Sequence, residues 1–185
     1  MAVIQENRNI TGFIELENKG TADIVVVPST RFGVVLTGRK EDLDRTFTDL
    51  HGEKLIVWQD SKNKSSFFGI FGNTSESIGP VTVTIEVPTL REISILGTGK
   101  FRCTEAPLVC ESMKLSLQGA SQIEIAQINC RGNAEFSISG MGDILVSGSV
   151  GGTVTASLNG MGNIKGSLSY SSLKKHVLGM GNIQL

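Results

Sequence analysis

The sequence has few aromatic residues, no excess of charge of either sign and no long apolar run. Aromatic side chains make up 5% of its 185 residues, and the apolar residues as a whole make up 39%, which is enough for a hydrophobic core. No stretch approaches the ~18 consecutive apolar residues of a membrane-spanning helix, so the sequence predicts no membrane span. The formal net charge of −1 argues against a nucleic-acid-binding surface.

The N-terminus also lacks the pattern of a secretory signal. Residues 1–7 contain no basic segment followed by an apolar one. The sequence therefore predicts a cytoplasmic protein if this is the complete native product. The alternative is the mature region of an exported protein.

Cysteine is scarce, and its spacing fits no zinc-binding pattern. Of the three cysteines, Cys110 and Cys130 lie about one repeat apart, which would place them on adjacent strands roughly 5 Å apart and within reach of a disulfide bond. The alternative is that Cys103, Cys110 and Cys130 are all small buried apolar residues. We predict no metal site, no cofactor and no catalytic residues.

The sequence does contain a repeat. Gly-Met-Gly followed by Asp or Asn and then Ile occurs at 140–144, 160–164 and 179–183, and looser copies occur at 97–101 and 119–123. The leading glycines are separated by 22, 21, 20 and 19 residues, and they are Gly97, Gly119, Gly140, Gly160 and Gly179. A period near twenty with a fixed glycine is typical of a solenoid.

Each repeat also contains a strand pattern. The residues two, four and six positions before each leading glycine are mostly apolar, and those between them are mostly polar, which is the alternation of a strand with one buried face. The fourth residue after the glycine is Phe101 in the first copy and Ile in the others. Because the repeats leave no room for a helix, we predict an all-β parallel β-helix (a solenoid) with coils of about 20 residues.

The sequence predicts a single domain over 1–185 with two unequal parts. Residues 91–185 form the regular coils, and residues 1–90 form irregular coils that include a hairpin and a flexible loop at 60–79. The charged cluster at 39–49 carries Leu43, Phe47 and Leu50 at helix-like spacing. It predicts one or two helical turns or a solvated loop, anchored by those three side chains.

The glycines and the polar residues that follow them are predicted to form the corners of the coils. Glycine permits a sharp turn from one sheet to the next. Asp143, Asn163 and Asn182 share one column and are expected to bond the backbone or one another as a ladder. Calcium ligation is the alternative, but calcium-binding repeats recur every nine residues, and the period near twenty counts against it.

Two groups of apolar residues are candidate interaction surfaces. By alternation Met141, Met161 and Met180 point outward as an exposed stripe, which would be a binding or dimer surface; the alternative is that they fill the core. The second group lies in a five-residue stretch and consists of Phe67, Phe68 and Phe71. It is either a partner-binding loop tip or a cover over an open end of the core.

Several stretches in order resemble one known family. They are 20–26, 51–57, 83–93 and the glycine repeats, and together they resemble the auto-transporter adhesin-like, head-GIN family of bacterial envelope proteins, whose function is largely unknown. The resemblance implies a right-handed β-helix, an envelope or extracellular location and no catalytic residues. The sequence departs from the family pattern by lacking an export signal and by having Met where the family often has Ser between the glycines.

The resulting functional hypothesis is a non-enzymatic envelope or surface module that presents a β-helix face to a glycan or a protein. A first alternative is a structural module that forms homo-oligomers through its C-terminal coils, where strand edges are exposed. A second alternative is a polysaccharide-active enzyme, which would need clustered carboxylates. Asp143 is the only carboxylate residue in 140–185, so the sequence argues against this alternative.

Overall fold

The structure, a computed structural model, describes residues 2–60 and 77–185 and is almost entirely β. The N-terminal elements are Val3–Arg8 (β1), Glu15–Asn18 (β2), Asp23–Pro28 (β3), Gly33–Arg39 (β4), Lys40–Leu43 (α1), Thr46–His51 (β5), Lys54–Gln59 (β6) and Thr82–Val87 (β7). The repeated part consists of Glu92–Ile95 (β8), Phe101–Cys103 (β9), Leu108–Cys110 (β10), Met113–Leu117 (β11), Ala120–Cys130 (β12), Ala134–Ile138 (β13), Met141–Val150 (β14), Thr153–Leu158 (β15), Met161–Lys165 (β16), Leu168–Ser169 (β17), Ser172–Val177 (β18) and Met180–Gln184 (β19).

The strands form two facing sheets that together make a β-solenoid of about four turns. The first sheet has the order β1-β4-β7-β3-β9-β12-β14-β16-β19, with β10 and β17 pairing at its side. The second sheet has the order β18-β15-β13-β11-β8-β2-β6-β5. In the repeated part the chain passes from one sheet to the other and returns, and every pairing there is parallel. The predicted parallel β-helix is therefore confirmed.

The core consists of columns of equivalent apolar residues. In the second sheet one inward column is Leu55, Leu16, Ile93, Leu115, Phe136 and Ala156. In the first sheet the facing column is Ile24, Phe101, Ile123, Ile144, Ile164 and Ile183. All these side chains are buried, so the alternation in the sequence places one face of each strand in the core.

The inward column of the second sheet ends on a charged residue. Lys175 is paired with Ala156 in register, at a position that is apolar in the preceding coils. Its side chain is exposed, and Nζ donates a hydrogen bond to the carbonyl oxygen of Ile183 at 2.9 Å, from the second sheet to the first. A lysine on the inner face of a sheet edge disfavours the addition of a further strand.

The N-terminal coils do not stack in chain order. Strand β2 lies between β8 and β6, and β3 lies between β9 and β7, so the first coil along the chain is inserted between the coil of β6 and β7 and the coil of β8 and β9. Beyond β6 and β7 the pairing becomes antiparallel, with β4 and β1 extending the first sheet and β5 ending the second.

The charged cluster at 39–49 forms one helical turn followed by a strand. Leu43 on α1 is buried, but Phe47 and Leu50 lie on β5 with 37% and 44% of their surface exposed. The expectation that all three side chains anchor this segment is therefore wrong. The turn at Gly52, with φ of +62°, returns the chain as β6, and pairing with β6 outweighs the helix-like spacing of the apolar residues.

A buried carboxylate fixes α1 in place. Asp42 accepts hydrogen bonds from Nε of Arg39 and from the amide of Gly79, both at 2.7 Å. Burial disfavours the ionised form of Asp42, but these bonds outweigh that effect and hold its pKa below the usual value. The amide of Asp60 donates to the carbonyl of Arg45 at 3.0 Å, so the described residues on both sides of 61–76 are tied to this region. Phe67, Phe68 and Phe71 lie outside the described residues.

Candidate functional site

Met141, Met161 and Met180, which we call the methionine stripe, lie side by side on the outer face of the first sheet. They are in register on the adjacent parallel strands β14, β16 and β19, so neighbouring methionines are about 4.8 Å apart along the solenoid. Their exposed fractions are 51%, 43% and 67%. The structure places all three thioethers toward solvent and none in the core.

The glycines on either side of each methionine are required by close backbone contact. A Cβ on Gly160 would lie 1.9 Å from the carbonyl oxygen of Gly140 in the preceding coil, and a Cβ on Gly162 would lie 1.7 Å from that of Gly142. Gly162 also has φ of +145°, a conformation that side-chain-bearing residues rarely adopt. In the three Gly-Met-Gly motifs the second glycine has a positive φ, as at Gly142 and Gly181, whereas the leading glycine does not.

The leading glycines show the same close approach from coil to coil. The distances from a built Cβ to the nearest carbonyl oxygen of the preceding coil are 1.8 Å at Gly97, 1.8 Å at Gly119, 2.1 Å at Gly140, 1.9 Å at Gly160 and 2.0 Å at Gly179. Glycine at these positions is therefore explained by coil stacking. The methionine between the two glycines is not constrained in this way.

The polar column beside the stripe forms a hydrogen-bonded step at one level. One carboxylate oxygen of Asp143 accepts hydrogen bonds from the backbone amide and from the side-chain amide of Asn163, at 2.8 Å and 2.9 Å. Asn182 follows in register on β19. The Asp143–Asn163 step joins two coils, so it serves to hold the corner together.

Apolar surface continues from the stripe onto the last coil. Leu178, which precedes Gly179, is 87% exposed, and Val177 is 48% exposed. Together with Met180 they place three exposed apolar side chains within four residues. Val177 is paired in register with the buried Leu158 and so lies at the end of a core column, whereas Leu178 and Met180 lie outside the core columns. Exposed apolar side chains close to one another mark interaction sites in soluble proteins.

The three cysteines are buried, and none of them forms a disulfide bond. Cys110 and Cys130 are register partners on adjacent parallel strands, as their spacing predicts, but both are free thiols, as is Cys103. Burial, followed by the charge of Glu105, raises the pKa of Cys103 to about 11, and burial together with the neighbouring Cys130 raises that of Cys110 to about 12. Cys103 and Cys110 are therefore expected to be protonated and poorly reactive in the folded protein.

In the part of the chain that the structure describes, no group of three or more His, Cys, Asp or Glu side chains could hold a metal ion. His51 and His176 are exposed at opposite ends of the second sheet, on β5 and β18. They do not converge with each other.

A pair of surface aromatic rings forms a second candidate site that the sequence pattern did not reveal. Phe47 on β5 and Trp58 on β6 are directly paired across the strands, and their rings stack with centroids 4.4 Å apart and an interplanar angle of 19°. The side chain of Asp49 accepts a hydrogen bond from Nε1 of Trp58. In the sequence the two aromatic residues are equidistant from the turn at 52 and 53. This spacing predicts that the rings are paired only once β5 is known to be a strand.

No helix over 2–60 and 77–185 has the length and apolar character needed to cross a membrane.

Comparison with known proteins identifies the family. Residues 12–185 match the sequence profile described as "Putative auto-transporter adhesin, head GIN domain". A search of curated proteins finds no match.

Two solved structures illustrate the similarity of fold. The structure of a putative adhesin from Bacteroides fragilis has a TM-score of 0.63 and 16% identity, with 99% of this chain and 96% of that chain covered. The structure of a putative lipid binding protein from Parabacteroides distasonis has a TM-score of 0.50 and 15% identity, with the same coverage. At these identities the similarity supports the solenoid fold, whereas the profile match covers nearly the whole chain. The protein therefore belongs to the family described as putative auto-transporter adhesin, head GIN domain.

Proposed function

We propose that the protein is a non-enzymatic binding module of the bacterial cell envelope or surface, and that its methionine stripe contacts a partner protein. The observation that carries this proposal is the exposure of Met141, Met161 and Met180 at a position where the fold requires no particular side chain. Three flexible, polarisable side chains in register give an apolar surface that adapts to a partner. Membership of an adhesin family supports a binding role.

The chemistry of the stripe favours a protein over a glycan. The side chains around it are thioethers, the amides of Asn163 and Asn182, the carboxylate of Asp143, which is already bonded to Asn163, and the apolar Leu178. Methionine is enriched at protein–protein interfaces, where apolar contact supplies the affinity. A glycan would need flat rings and several hydrogen-bonding groups at one place, and the stripe has no aromatic ring.

Lys175 disfavours self-association by end-to-end stacking on the C-terminal coil. A second copy stacked end to end on the last coil would cover Lys175 and remove its ammonium group from water, which is costly unless the partner supplies a charge. Sideways contact through the stripe leaves Lys175 in solvent. We therefore propose a lateral contact surface.

Photo-methionine incorporation tests the proposal directly. Cells of the source organism that express the protein with the photoreactive analogue are irradiated, and cross-linked peptides are identified by mass spectrometry. We expect cross-links from positions 141, 161 and 180 to one protein partner. Met113, which is buried, serves as an internal control that gives none.

The matched variants separate binding from stability. The triple variant M141S/M161S/M180S is expected to lose binding to the cross-linked partner in a purified assay while keeping its unfolding midpoint. Val109→Ser removes an exposed apolar side chain away from the stripe and is expected to bind normally. Cross-links only to other copies of this chain would favour the structural alternative. A triple variant that unfolds much more easily yet binds its partner as before would refute the proposal.

The proposed location has a separate test. Fractionation of the source organism with an antibody to this chain is expected to place it in the envelope or the medium. Recovery in the cytoplasmic fraction alone would contradict the proposed surface role.

A further inference from the structure

A cleft of about 440 Å³ lies at the N-terminal end of the solenoid. It lies between β1 and β5, which end the first and second sheets, and α1 closes one side. Its volume falls within the range of roughly 300 to 1,000 Å³ that is usual for small-molecule sites. It is separate from the methionine stripe, which lies on the strands at the opposite end of the first sheet.

One side of this cleft is formed by Phe47 of the stacked aromatic pair. Strand β5 ends the second sheet and Trp58 lies on the next strand inward, so Trp58 covers one face of the Phe47 ring and the other face is directed beyond the sheet. Phe47 is 37% exposed and lines the cleft. The backing by Trp58, which is itself bonded to Asp49, holds the ring in a fixed orientation.

The remaining lining is rich in hydrogen-bonding groups. Glu6 forms one ion pair with Nη2 of Arg8 at 3.0 Å and another with Nζ of Lys40 at 3.3 Å. Lys40 also forms an ion pair with Asp44. The bonds to Asp44 and Glu6 raise the pKa of Lys40, so its ammonium group stays charged at neutral pH. Thr48 adds a hydroxyl group to the lining.

Arg8 has donor capacity that the protein does not use. Among the described residues, Nε of Arg8 is the one buried side-chain nitrogen or oxygen atom without a hydrogen-bond partner. An unsatisfied buried donor is destabilising, and a small movement of the guanidinium group toward an added oxygen would remove part of that cost. The cleft is therefore incomplete in a way that an oxygen-rich ligand would correct.

We propose that this cleft binds a neutral saccharide, with the apolar face of one sugar ring stacked on Phe47 and its hydroxyl groups bonded to Arg8 and Glu6. A pyranose ring combines a flat face of C–H bonds with hydroxyl groups that both donate and accept. An aromatic ring beside a carboxylate and a guanidinium group complements all three features. The alternating charges of the lining disfavour an anionic ligand, which would meet Glu6 and Asp44. An apolar peptide is disfavoured because, of the described lining residues, Phe47 and Leu43 are the only large apolar side chains among charged and hydroxyl groups.

The chain provides its own reporter for this site. Trp58 is the only tryptophan in the sequence and is stacked directly against Phe47. A neutral glycan array is used first to choose among saccharides, and cellobiose, maltose and lactose are then titrated while Trp58 fluorescence is recorded. At least one saccharide is expected to give a saturable change.

The variants test the role assigned to each group. Phe47→Leu keeps an apolar side chain but removes the ring, and it is expected to weaken binding at least tenfold, which corresponds to about 1.4 kcal/mol. Phe47→Tyr keeps the ring and is expected to bind nearly as well as the wild type. Arg8→Lys removes the planar fork of donors and is expected to weaken binding while the unfolding midpoint stays close to that of the wild type.

Variants at one of the two sites serve as controls for the other. Met161→Ser lies on the other sheet and is expected to leave saccharide binding unchanged, and Phe47→Leu is expected to leave partner cross-linking unchanged. No saturable response to any array glycan or disaccharide would overturn the saccharide proposal, as would equal affinity in the wild type and in Phe47→Leu. A response to an extended peptide but to no saccharide would also overturn it, and would indicate strand pairing along β5 instead.

Discussion

Glycine can be required for two physical reasons, a positive φ or a close backbone contact. Three glycines of this solenoid allow the two effects to be measured separately. Gly12 has φ of +80° and no atom within 4 Å of a built Cβ, so alanine there meets only conformational strain. Gly160 has no positive φ, but its Cβ would lie 1.9 Å from a backbone oxygen. Gly162 combines φ of +145° with a contact of 1.7 Å. Replacing each by alanine isolates strain, crowding and their combination.

The magnitudes follow from these geometries. For Gly12→Ala we expect a loss of about 1 to 2 kcal/mol in the free energy of unfolding, the cost of a left-handed conformation. For Gly160→Ala the contact must open from 1.9 Å to an ordinary distance of at least 3.4 Å. That movement separates two coils and stretches the 2.9 Å bond from the amide of Met161 to Gly140, at about 2 to 4 kcal/mol. Gly162→Ala adds the two effects and is expected to cost about 3 to 6 kcal/mol.

Urea unfolding measures these differences when two signals are recorded together. Far-UV circular dichroism follows all coils, whereas the fluorescence of Trp58 follows the N-terminal end, far along the solenoid from Gly160. Because solenoid coils contact only their neighbours, Gly160→Ala is expected to shift the dichroism midpoint more than the fluorescence midpoint. If Gly160→Ala proves no more destabilising than Gly12→Ala, coil stacking is not the reason for the leading glycines.

Three further predictions concern titration, thiol reactivity and the open end of the solenoid. Asp42→Asn should lower stability at pH 7 by about 1.5 to 3 kcal/mol, because it removes the charge bonded by Arg39. Folding lowers the pKa of Asp42. In urea melts the stability difference between the wild type and the variant should therefore be complete above the pKa of an unfolded aspartate (~3.9) and disappear as the pH falls through the lower folded value. A constant difference down to pH 2 would contradict this. Cys103 and Cys110, with pKa values near 11 and 12, should resist iodoacetamide at neutral pH until urea unfolds the chain, and rapid labelling of the native protein would refute their burial. Lys175→Leu should raise the sedimentation coefficient in a concentration-dependent way by extending an apolar column to the open end, whereas Lys175→Gln should remain as the wild type; equal behaviour of the two variants would show that the position does not protect the end.

The regular half of the fold could be predicted because its signal is local and repeated. The apolar column that contains Ile164 and Ile183 is visible in the sequence as one apolar position in each repeat. The near-constant spacing of the glycines specifies how the coils align. Alternation gives an outward position for the three methionines as one of two alternatives, the other being core packing, and in the structure their side chains are exposed.

The N-terminal half could not be predicted in the same way. Runs of β-branched and other apolar residues indicate that β3 and β6 are strands. Such runs contain no information about the order in which strands pair, so the insertion of the first coil between later ones was not visible. The spacing of Leu43, Phe47 and Leu50 fits a helix, yet the hairpin with β6 determines the structure at Phe47. The cleft depends on residues from β1, α1 and β5 that come together only through these non-local pairings.

The two candidate sites occupy places where the solenoid leaves the sequence free. Inward positions are fixed by the core and corner positions by coil stacking, so the identity of a side chain carries information about binding only elsewhere. Met161 meets this condition because it points outward between two glycines that are needed for stacking. Phe47 meets it because β5 ends a sheet and its outward ring is not required by the core. The exposed part of an apolar side chain at such a position gains nothing from the folding of its own chain, and this is the physical reason to look for a partner outside the chain.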